Sequence, residues 1–136
     1  MRRLPDWRGR LAAHLAASAG RPFAWGRHDC AIFAADCILA MTGEDPAAPF
    51  RGRYRSFKGG LKCLRKAGFA DHVALATARL EAVHPAYARA GDLAMIATPD
   101  GAALGIVQGH RIYVLRPEGL ATVDLMQADR AWAVPA

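Results

Sequence analysis

The feature that most constrains this chain is a change of grammar at Gly91. Before it, apolar residues recur at three- and four-residue intervals, the period of a helix packed along one stripe. After it, they fall in short runs separated by turn residues at hairpin spacing. Helices that are complete before the strands begin do not give the alternating crossovers of a parallel sheet. The segregation predicts an α+β fold with the early helices packed on one face of an antiparallel meander. At 136 residues, 53% of them hydrophobic, the chain is expected to form a single domain over 1–136.

Trp7, Leu11 and Leu15 set a helix over Asp6 to Ala19, stopped by Gly20, Arg21 and Pro22. A loop through Phe23, Trp25 and Gly26 leads to Asp29, a natural N-cap for a helix from Cys30 to about Thr42 that ends at Gly43. Its stripe of Cys30, Phe33, Ala34, Cys37, Ile38 and Met41 is that of a core-facing helix. Shorter helices are predicted over Gly60 to Ala67 and Asp71 to Ala82. Four strands follow, Leu93 to Ala97, Leu104 to Val107, Ile112 to Leu115 and Leu120 to Leu125. Ala131 to Val134 is expected to add a fifth at the sheet edge.

Several function classes drop out. No apolar run approaches the roughly 18 residues of a membrane span, and Asp6, Arg8, Arg10 and His14 follow Met1-Arg2-Arg3 too closely for a signal-peptide core. Cys30, Cys37 and Cys63 form no CxxC pair, and two helical turns separate the first two by about 10 Å, so no metal site is predicted. No phosphate-binding glycine loop occurs, and no cofactor is expected. The formal net charge of +6 comes from fifteen arginines and three lysines against twelve acidic residues. Seven of those bases lie between Arg51 and Lys66 with no acid among them, an electropositive face. No nucleic-acid module surrounds it, so an acidic protein surface is the expected partner rather than DNA or RNA, with Arg51, Arg53, Tyr54 and Arg55 as the docking residues.

The segment Phe23-Ala24-Trp25-Gly26-Arg27-His28-Asp29-Cys30-Ala31 carries the chemistry. A cysteine in the first turn of a helix meets unpaired backbone N–H groups and the positive end of the helix dipole, which favour its thiolate. Trp25, Gly26 and Asp29 would form the cleft wall beside it. A buried packing cysteine is the plainer alternative.

This block, with Ala90-Gly91-Asp92-Leu93 some sixty residues later, resembles the NlpC-type papain-like cysteine peptidases, which cut amide bonds in bacterial cell-wall peptides. The resemblance spans about Pro22 to Tyr113 and implies that Cys30 is the nucleophile. It further implies a phage tail-associated branch, hence a virion-tail protein made in the bacterial cytoplasm among other tail proteins. The departure from the family is sharp. Where active members begin a strand His-Val-Gly-Ile, this chain reads Ala103-Leu104-Gly105-Ile106, and the orienting polar residue expected in the next strand falls among Ile112, Tyr113 and Val114. A nucleophile without a base loses most of its activation. The expectation is therefore a structural tail-tip component on a peptidase scaffold. The alternative is an active cell-wall amide hydrolase in which His28 leans toward Cys30. His110 lies too far along its strand to substitute, and His14, His72 and His84 read as packing or surface residues.

Overall fold

The computed structural model describes residues 1–136. Four helices, α1 (Trp7–Ala19), α2 (Cys30–Thr42), α3 (Phe57–Lys66) and α4 (His72–Arg79), precede most of the sheet. The strands are β1 (Glu81–Val83), β2 (Leu93–Thr98), β3 (Gly101–Gln108), β4 (Arg111–Arg116), β5 (Gly119–Asp124) and β6 (Ala128–Ala133). They form one antiparallel sheet in the order β1-β6-β2-β3-β4-β5. The α+β class and the one-sided helices are as the sequence implies: Phe33, Cys37, Ile38 and Met41 of α2 meet Leu93, Leu104, Ile106, Leu115 and Trp132 in the main core.

Three boundaries differ from expectation. The sheet has six strands rather than four or five, because Glu81–Val83 leaves the predicted fourth helix and pairs with β6. β6 is not an edge strand: it lies between β1 and β2, with Trp132 opposite Leu93 and completely buried. Only Ala131 and Trp132 of the strand are buried, whereas Asp129 and Arg130 before them face solvent. α3 begins at Phe57, three residues early, because the Ser56 hydroxyl accepts from the Gly59 amide and caps it.

The Gly91-Asp92 pair serves the fold. Asp92 is 5% exposed and accepts from the Arg3 guanidinium at 2.9 Å, the Val134 amide at 3.1 Å and the Arg89 amide at 2.8 Å. It thereby ties both chain ends to the start of β2.

β3 sets up the site. It pairs with β2 along Gly101–Ile106 but with β4 only from Ile106 to Gln108, so its first half has a strand on one side alone. At Gly105 a side chain would collide with the Tyr113 carbonyl and the Ile112 and Val114 methyl groups, so glycine lets β4 cross closely just before the two strands separate.

Candidate active-site cleft

The split opens onto a cleft of about 410 Å³ bounded by the Phe23–Trp25 loop, the head of α2, α3, α4 and the first half of β3. Cys30 is on its wall, as are Trp25, Asp29, Tyr54, Phe57, His72, Ala103 and Arg116. Behind it is an apolar cavity of about 80 Å³; Ala31, Tyr54, Leu64 and His72 line both spaces.

Asp29 organises this end of the molecule. Its carboxylate is 1% exposed and accepts from the Ile32 amide at 2.9 Å, the Gly26 amide at 2.9 Å and the Tyr54 hydroxyl at 2.6 Å. One oxygen caps α2 while the other holds the loop and the tyrosine, so three segments share one anion at a helix N-terminus. Gly26 is required there: its φ is +80°, and a Cβ would strike the Tyr54 carbonyl. The Tyr54 ring lies on Gly60 of α3, where a Cβ would sit 3.1 Å from it. Phe23, Trp25 and Phe57 complete an aromatic wall, edge to face at 4.9 and 5.9 Å.

Cys30 is largely buried but presents to the cleft. Burial pushes its thiol up to about 11; backbone hydrogen bonding from Leu104 and Ala31 opposes that without cancelling it. The activated thiolate expected from helix position alone is thus not the resting state: at neutral pH Cys30 is a protonated thiol.

The remaining expectations divide. Ala103 lines the same cleft as Cys30 and is buried. The β4 residues at the cleft are Leu115 and Arg116, not the Ile112–Val114 region expected to hold the orienting group, and Leu115 is fully buried and apolar. His28 is not on the cleft wall with Cys30. Its ring is 1% exposed, edge-on to Phe33 at 6.4 Å, with both nitrogens unpartnered, and it lines no part of the cleft. The tight turn that pairs Ala24 with His28 sends the ring inward as it sends the chain into α2.

Arg51 and Tyr54, expected to dock a partner, are engaged within the chain: Arg51 pairs with Asp36 and Asp45, and the Tyr54 hydroxyl donates to Asp29. Arg53 and Arg55 remain exposed.

His72 is the cleft residue that sequence reasoning set aside. It opens α4, and its Nε2 is 2.7 Å from the Ala102 carbonyl. Its one advance signal was the preceding Asp71, whose carboxylate accepts from the Ala74 amide and fixes where α4 starts.

A family description, Domain of unknown function (DUF6950), matches residues 2–134, almost the whole chain. The chain belongs to the DUF6950 family. Among solved structures it is similar to the NlpC/p60 domain of the peptidoglycan hydrolase SagA, at 18% sequence identity and a TM-score of 0.59, covering 93% of this chain and 97% of that one. That likeness establishes the NlpC-type papain-like fold. No curated protein matches the chain by sequence, and no helix is long and apolar enough to cross a membrane.

Proposed function

We propose that this DUF6950 protein is a cysteine-dependent amide hydrolase acting on peptides of the bacterial cell wall, with Cys30 as nucleophile. The observation that carries the reading is an open cleft of about 410 Å³ with the Cys30 thiol on its wall at the head of α2. A cysteine kept only for packing needs no cleft, no aromatic wall and no buried carboxylate bracing the loop beside it. The NlpC/p60 domain that shares this fold comes from a peptidoglycan hydrolase, which supports the substrate class. In the reaction the thiol attacks the amide carbonyl, the amine leaves with a proton, and water releases the acid from the thioester. Trp25, Tyr54 and Phe57 offer flat surfaces for the peptide, and Arg116 a positive charge for a substrate carboxylate. Purified protein should release amine from cell-wall peptides and Cys30→Ala should not; release at equal rates, or by neither, contradicts the reading.

Ala103 and Leu115 favour a second reading, a phage tail-tip component that keeps the scaffold without turnover and docks an acidic tail protein through Arg53 and Arg55. Reconstituted tails should then bury those arginines, and an assembly that leaves both free removes this reading.

A further inference from the structure

Position 103 holds no base, yet the cleft contains a histidine, and the backbone of β3 shows how it is held. Val107 turns its N–H and C=O toward the β2 side, donating to the Asp92 carbonyl at 2.9 Å and accepting from the Gly91 amide at 2.7 Å. Directions alternate along a strand, so residues 102, 104 and 106 turn theirs toward the β4 side. β4 pairs only from Ile106 onward, which leaves the Ala102 and Leu104 backbone groups facing the split. His72 takes the Ala102 carbonyl, and Cys30 stands on the wall of the same cleft as Ala102 and Ala103. The thiol and the imidazole therefore share one cleft, with the imidazole held at the unpaired first half of β3.

The Ala102 carbonyl can only accept, so Nε2 of His72 carries the proton. A neutral ring then has its lone pair on Nδ1, which makes no hydrogen bond within the protein and is not sealed from solvent. A peptide carbonyl thus fixes the tautomer, the role that an orienting side chain would otherwise fill.

We propose that His72 is the general base of this site, supplied by α4 in place of the absent strand histidine. The inference rests on the hydrolase reading for its substrate and on the cleft geometry for the pairing of Cys30 with His72. As the Cys30 sulfur bonds to the amide carbon, Nδ1 takes the thiol proton, directly or through one water. The imidazolium returns it to the departing amine as the C–N bond breaks. Nδ1 then takes a proton from the water that attacks the thioester, and passes it to the leaving thiolate.

The test is the rate of Cys30 alkylation by iodoacetamide from pH 5 to 10, read on the Cys30 peptide by mass spectrometry so that Cys37 and Cys63 do not contribute. The wild type should show a second inflection at a pH below the main rise of the isolated thiol. His72→Gln keeps an N–H for the Ala102 carbonyl and should lose that inflection, slowing alkylation at pH 7 by about tenfold or more. Added imidazole should restore it in His72→Ala. A wild-type profile with no second inflection, or one unchanged in His72→Gln, overturns the proposal; the wild-type curve decides alone if the variant does not fold. Cell-wall peptide assays on the same samples separate the two ideas. An inflection without product release refutes the substrate reading and leaves the pairing, whereas equal release by wild type and His72→Gln refutes the base and leaves the hydrolase.

Discussion

His28 and Asp29 are neighbours in sequence, and each is 1% exposed, yet the structure treats them in opposite ways. Asp29 has three donors and stands at a helix N-terminus, so its burial organises the loop, α2 and Tyr54. His28 makes no well-formed hydrogen bond through either ring nitrogen, and the nearby Ser18 carbonyl offsets only part of the cost of its burial. The difference teaches where the site's rigidity originates. The aspartate braces the cleft wall, and the histidine beside it packs edge-on to Phe33 away from the cleft.

The largest effect should come from Asp29→Ala. It strands the Gly26 amide, the Ile32 amide and the Tyr54 hydroxyl together, and a loss of about 3 kcal/mol is expected in denaturant unfolding. An effect no larger than that of an ordinary surface change would break the contrast. Gly26→Ala should follow at about 2 to 3 kcal/mol, since it forces a positive φ and pushes Cβ into the Tyr54 carbonyl. Tyr54→Phe keeps the ring on Gly60 and removes only the bond to Asp29, so about 1 to 1.5 kcal/mol is expected. A much larger loss would mean that the hydroxyl does more than brace the carboxylate.

The fold class could be read from sequence because period and turn chemistry are local, and so could the cleft wall at Trp25, Asp29 and Cys30, since they precede an obvious helix; Gly26, expected on that wall, does not line the cleft and shapes the loop behind it. What escaped depends on pairing across distance. β6 is internal because Trp132 finds Leu93 some forty residues away. Arg51 leaves the basic face because Asp36 and Asp45 fold beside it. His72 enters the cleft because β3 and β4 part at Ile106, and no residue near His72 in the chain encodes that.

The smallest effect sharpens the His28 side of the comparison. Burial lowers the pKa of His28, and it lowers that of His14, which stacks on Phe33 from α1. A histidine held neutral in the fold contributes stability that is complete above its unfolded pKa of about 6.5 and declines as pH falls toward the folded value, because the unfolded chain binds the proton first. Thermal unfolding should therefore show a melting temperature flat from pH 7 to 8 and falling below about 6.5. His28→Leu should be near neutral in stability at pH 7, because it removes the unpartnered nitrogens, and should flatten part of that acid limb. A variant that steepens the limb would show that His28 has a partner in solution.

The most direct measurement is intact-mass analysis of the protein mixed with cell-wall peptides and quenched in acid within the first turnovers. The account expects a covalent adduct of acyl mass on the protein, absent in Cys30→Ala and decaying as free acid appears. Unmodified mass throughout, with no product released by a folded protein, would contradict it.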